Sequence, residues 1–138
     1  MDILHPMLGM MIWSGIILLA LLAQRIPVVI KHWGQLQYAL HSEELRPRLP
    51  IRMRYVTDNY NHIFEQPTLF YATVVYINLM GHESTINVAL AWAYVVGRIV
   101  HSLIHISVNN VSWRATSFAL SSLCLLAMIF GEVLSWVA

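Results

Sequence analysis

Only 8 Lys+Arg and 7 Asp+Glu stand in this chain of 138 residues, against 58% hydrophobic side chains, and the formal net charge is +1. A soluble domain is about 25% charged, so 11% charged residues cannot coat a water-soluble fold of this size; disorder, a disulfide scaffold and nucleic-acid binding fall to the same arithmetic. The length fits one membrane domain with no attached soluble one, and a single cysteine, Cys124, offers neither a disulfide framework nor a cysteine metal cluster.

Crossing about 30 Å of hydrocarbon takes roughly 20 helical residues, and four runs are long enough. The first extends from about Met7 to Ile30, with no charge before Arg25. It does not read as a cleaved signal peptide, because MDILHP has no Lys or Arg and no A-x-A site follows the run. About 31–53 is a polar stretch with Pro47 and Pro50, too irregular to span. The second run covers about Arg54 to Met80, the third about Thr85 to Ser107, and the fourth about Val111 to Val137. A Gly-His-Glu-Ser turn separates the second and third, with Ser84 or Thr85 as a helix N-cap. Long apolar runs favour helices over short alternating barrel strands. The expected fold is an all-α, four-transmembrane-helix bundle. Lys31, Arg46, Arg48, Arg52 and Arg54 crowd the first loop and Arg114 adjoins the third. The positive-inside bias therefore puts those loops in the cytoplasm and both termini outside.

Ionisable groups at membrane depth are costly and are functional candidates by default. At about 100° per residue, Arg54, Asp58, Asn61 and Glu65 on the second helix fall within about 60° of one another, with His62 on their flank. On the third helix Tyr94, Arg98, His101, Ser102, His105 and Asn109 form a second stripe by the same projection. Arg25 lies some two turns inside the cytoplasmic end of the first helix, and Arg114 opens the fourth. The groups gather at one end of the bundle and read as one polar pocket. Glu65, ahead of Pro67 and a long apolar run, needs a cation, and Arg98 or Arg25 is the natural one. Glu132 and His82 fall at the opposite surface and are expected to be solvated. The tryptophans Trp13, Trp33, Trp92, Trp113 and Trp136 read as lipid-facing or interfacial packing.

Two motifs carry a resemblance. The second helix reads Arg54-Tyr-Val-Thr-Asp-Asn-Tyr-Asn-His-Ile-Phe-Glu65-Gln-Pro67-Thr-Leu-Phe70, and the third Arg98-Ile-Val-His101-Ser102-Leu-Ile-His105, with Arg114 nine residues on. In helix order and loop lengths the chain resembles the MAPEG family, the membrane-associated proteins of eicosanoid and glutathione metabolism. The third-helix spacing is similar to that of the prostaglandin E synthase branch. The resemblance implies a homotrimer with glutathione as cofactor at each subunit interface, open to the cytoplasm. Carried over by position, Glu65 holds the γ-glutamyl amino group and Arg98 and His101 wall the peptide. Arg114 lies beside the sulfur and stabilises its thiolate. Asn61, His62, His105, Arg54 and Arg25 complete the candidate binding set. A neighbouring guanidinium lowers a thiol pKa of about 8.5 and so makes the nucleophile.

The chain departs from the family pattern at several of these positions. Asp58 stands where the glutathione binders have Arg, His62 where they have Asn, His105 where they have Tyr, Ala115 where they have a hydroxyl, and Gln37 where a first-loop Arg helps grip the peptide. The function this implies is a glutathione transferase or peroxidase acting on lipophilic electrophiles from the bilayer. Two alternatives stand beside it: a catalytically silent scaffold that binds a lipid or joins a larger membrane complex, and a bundle whose histidines ligate haem or a metal. The expected location is a bacterial inner membrane, or the endoplasmic reticulum in a eukaryote.

Overall fold

The computed structural model describes residues 2–31 and 50–137, the Val29 side chain excepted. Four helices follow one another: α1 Leu4–Lys31, α2 Ile51–Met80, α3 Thr85–Ile106 and α4 Val111–Val137. With no strand among the described residues, the fold is the all-α membrane bundle expected. The first-loop residues Gln37, Arg46 and Arg48, and Trp33, lie outside the described residues.

Three helices, α1, α3 and α4, are long and apolar enough to cross a membrane. The longest, α2 with 30 residues, is not among them. Its first half carries Arg52, Arg54, Asp58, His62 and Glu65, and only the stretch from Pro67 onward suits hydrocarbon. The bundle is inside-out relative to a soluble domain. Leu8, Ile12, Leu19, Leu79, Val96, Leu103, Leu123 and Phe130 are exposed, whereas Asn59, Arg98, His101, Ser102, His105 and Ser121 are buried. Outward apolar side chains are stable in lipid, and polar groups must then find partners within the protein.

The interior is layered. Toward the α2–α3 turn, Ile3 and Met10 pack with Phe70, Val74 and Ile77 of α2, Val88, Ala91, Tyr94 and Val95 of α3, and Leu125 and Met128 of α4. The stacked rings of Phe70 and Tyr94, 4.3 Å apart, close this layer. Beyond them, toward the first loop, the interior turns polar. The most extensive helix contact is between α3 and α4. A Cβ added at Gly97 would stand 3.0 Å from Ser121 Cβ, so the two backbones approach through small residues, as membrane helices commonly do.

Local chemistry sets the turns. Gly81 ends α2 in the left-handed region at φ 69°, which costs glycine little. Ser84 then caps α3, its Oγ accepting from the Asn87 amide at 3.1 Å. Between α3 and α4, Asn109 takes a positive φ of 49°, a conformation asparagine tolerates better than most residues. Asn110 Oδ1 accepts from the amides of Ser112 and Trp113 at 3.0 and 3.2 Å.

Glu132 departs from the expected solvation, whereas His82 is exposed as expected. Glu132 is buried, its Oε2 lying 2.7 Å from His82 Nδ1 and its Oε1 accepting from Asn87 Nδ2 at 3.5 Å. The α2–α3 turn folds over the end of α4, and a carboxylate shielded from water in this way requires donors.

Candidate functional site

The polar layer is built on α3. Arg98 is 2% exposed. Its Nη2 donates to the His62 carbonyl oxygen at 2.9 Å and its Nη1 to Gln66 Oε1 at 3.3 Å. The guanidinium carbon lies 5.4 Å from the centre of the Phe118 ring, within cation–π range. Pro67 has no N–H to offer the Ile63 carbonyl one turn back in α2; the Arg98 donor goes to the adjacent carbonyl, that of His62. Gln66 also donates through Nε2 to Ser122 Oγ at 2.6 Å, so one side chain joins α2, α3 and α4. One turn along, Ser102 Oγ donates to Asn59 Oδ1 at 2.8 Å.

His101 Nδ1 is 3.0 Å from the Arg114 carbonyl oxygen, with Ser117 Oγ at 3.4 Å. A carbonyl only accepts, so Nδ1 carries the proton and the neutral ring keeps its lone pair on Nε2. Arg114 is half-buried and donates through Nη1 to Asn109 Oδ1 at 2.5 Å. Asn109 therefore reaches the cluster from the turn, three residues beyond the end of α3, and not as the helical position assumed in the projection. His105 is buried between His62 and His101, with ring centres 5.7 and 6.0 Å away.

The α2 stripe behaves otherwise. Asn61 and Glu65 are exposed, and Arg54, Asp58 and His62 half-buried. The side chain of Glu65 is 67% exposed, and its partner is His62 Nδ1 at 3.1 Å, neither Arg98 nor Arg25. Arg25 stands exposed on α1. The buried face of α2 consists of Val56, Asn59, Ile63, Pro67, Phe70, Thr73, Val74 and Ile77, which lies about 160° round the helix from the stripe at about 100° per residue. Within one chain the two stripes meet only through His62, at the flank of the α2 stripe, whose ring lies 5.7 Å from that of His105; the α3 stripe points inward, and Asn61 and Glu65 of α2 point outward. Helical spacing fixes which residues share a face but not which way the face turns. The apolar members of the α2 face were the available signal, and following them would have found Asn59 and Gln66, which the polar stripe obscured.

Several buried polar atoms of the layer have no hydrogen-bond partner: Asn59 Nδ2, Arg98 Nε, His101 Nε2, both ring nitrogens of His105 and Arg114 Nε. An unsatisfied buried group costs about 1–3 kcal/mol, and native proteins keep few of them. Their concentration between α2, α3 and α4 marks a place suited to a polar ligand or ordered water. Arg98 and Arg114 give it positive potential, since their hydrogen bonds go to neutral acceptors. Among the described residues no three His, Cys, Asp or Glu side chains are arranged to hold a metal ion.

These features define a class: an integral membrane four-helix bundle with a buried, cation-bearing polar layer at one end. The sequence model of the MAPEG family matches residues 3–134, nearly the whole chain, and the chain belongs to that family. Members generally use glutathione and are often trimers, and membership supports a membrane glutathione-related transferase or related function in general. No curated protein and no solved structure matches the chain.

Proposed function

We propose that the chain is a glutathione-dependent transferase or peroxidase that acts on lipophilic electrophiles drawn from the bilayer. The supporting observation is the set of unpartnered buried groups at Arg98, His101 and Arg114. The residues present suit the tripeptide chemically. Arg98 and Arg114 offer guanidinium donors to its anionic groups, and Glu65 offers a carboxylate to its ammonium. Glutathione supplies the thiol nucleophile; the role of Arg114 is to hold that sulfur as the thiolate. Arg54, Asn61, His62, His105 and Arg25 remain candidates for the surrounding wall.

The outward turn of Asn61 and Glu65 supports a homotrimer. A carboxylate halfway along a membrane helix is unstable against lipid, and a second copy packed against α2 would cover it and bring it opposite the cations of a neighbour. The single domain, the cytoplasmic first loop and the external termini belong to the same reading. The silent-scaffold alternative rests on Asp58, His62 and His105, which stand where the resemblance places an arginine, an asparagine and a tyrosine. Titration calorimetry of the detergent-solubilised protein with glutathione, paired with conjugation of an aryl halide, tests the proposal. Saturable heat with turnover is expected. No heat at millimolar glutathione, with recovery in stoichiometric complex with other membrane proteins, would transfer support to the scaffold.

A further inference from the structure

We propose that the groove between α2 and α4, at the end of the bundle away from the first loop, binds a single-chain amphiphile whose ammonium head group pairs with Glu132. This second site does not depend on the glutathione reading. Ala72, Thr73 and Tyr76 line the groove from α2, and Glu132, Val133 and Trp136 from α4. Its volume is about 490 Å³, within the range of small-molecule pockets. The groove persists because α2 and α4 make little direct contact and Ala72 is too small to fill the space between them.

The charge of Glu132 selects the occupant. Glu132 is 9% exposed, and its partners are His82 Nδ1 at 2.7 Å and Asn87 Nδ2 at 3.5 Å. A neutral imidazole donates to the carboxylate and leaves the negative charge in place, and an amide at that distance is at the limit of hydrogen bonding. Thr73 directs its hydroxyl to the Leu69 carbonyl at 2.9 Å and adds no donor. Every Lys and Arg of the chain falls within 25–54 or at Arg98 and Arg114. The segments that build this end of the bundle, 1–24, 67–97 and 115–138, therefore supply none. A carboxylate in a membrane helix is costly unless a cation meets it. Here that cation comes from outside the chain.

The rest of the lining fits the same ligand. Tyr76 and Trp136 offer aromatic rings at the carboxylate end, and such rings attract ammonium groups. Leu69 and Ile129 continue the groove with apolar surface that suits an alkyl chain. Leu69 stands about 10 Å from Tyr76 along α2 at about 1.5 Å per residue, so the tail runs toward the bilayer interior while the head stays near its edge. Glu132 is about 7.5 Å from the end of α4 by the same measure, and both His82 and Trp136 are exposed there. Ala72 and Tyr76 continue the Glu65 side of α2 at about 100° per residue. A neighbouring copy in the trimer would therefore roof the groove along its length and leave the end of the bundle as its entrance.

The test uses the full chain, labelled with fluorotryptophan, in phosphatidylcholine bilayer discs. It follows the fluorine resonance of Trp136, assigned by its loss in Trp136→Phe. Dodecylammonium is expected to shift that resonance saturably, and dodecanol at equal membrane loading to bind at least tenfold more weakly. Glu132→Gln should remove the preference for the amine. Ala72→Phe, which fills the groove and keeps the carboxylate, should weaken amine binding at least tenfold. Unchanged resonances of the other tryptophans report that each variant is folded. Equal responses to amine and alcohol would overturn the proposal, as would a preference for the amine that survives in Glu132→Gln. No response to either, with disulfide cross-linking of two copies through Ala72→Cys, would give the groove to a second copy of the chain instead. A Trp136 shift produced by ethanolamine phospholipid, which dodecylammonium cannot reverse, would give it to a bilayer phospholipid and overturn the single-chain ligand.

Discussion

Gln66 shows how one neutral side chain can organise a charged site. Its amide oxygen accepts from Arg98 and its amide nitrogen donates to Ser122, so it orients the guanidinium without neutralising it. A carboxylate in the same place would pair with Arg98 and cancel the positive potential that a ligand needs. Gln66→Leu is expected to leave Arg98 Nη1 and Ser122 without this partner and to cost about 1–3 kcal/mol, read as a lower thermal midpoint in detergent. An unchanged midpoint would mean that the three-helix bridge contributes nothing. Arg98, His101 and His105 were legible in the sequence as costly groups on one face of an apolar helix. Gln66 and Asn59 were not, because uncharged amides beside a carboxylate-bearing stripe give no comparable signal.

Among the elements, the α3–α4 turn positions Arg114. Asn109 serves twice there: its backbone adopts φ 49°, and its side chain accepts from Arg114 Nη1. The two roles separate by substitution. Asn109→Gly keeps the backbone conformation and removes the acceptor, so the fold should stay within about 1 kcal/mol of wild type while thiolate formation with glutathione declines. Asn109→Ala loses both and should also be less stable. If Asn109→Gly matches the wild type in thiolate yield, the side chain is not positioning Arg114. The existence and order of the helices followed from long apolar runs, which are a strong signal. The polar first half of α2 explains why that helix, alone of the four, is not apolar enough to cross by composition: its stripe needs surroundings other than lipid.

The whole molecule raises the matter of what those surroundings are. In a trimer, Asp58 and Glu65 on the outward side of α2 would face a neighbouring subunit, and the charge at Asp58 would then weigh directly on the binding of an anionic tripeptide. Opposite charges about 4–6 Å apart at an effective dielectric near 20 interact by a few kcal/mol. Asp58→Arg is therefore expected to tighten glutathione binding at least tenfold by calorimetry, and a weaker or unchanged affinity would show that this position does not face the ligand.

Composition and periodicity alone determined that this chain is a helical membrane bundle and that its third helix carries a buried ionisable stripe. Both follow from the energetics of lipid: a run without charges has nowhere else to go, and charges within such a run must turn inward. Tertiary structure decided how the helices are rotated against one another. That rotation turned Glu65 outward onto His62, brought Gln66 and Asn59 to Arg98 and Ser102, and folded Glu132 beneath His82. Rotation is set by side chains interlocking between helices distant in sequence, and no single helix carries that information in its own spacing.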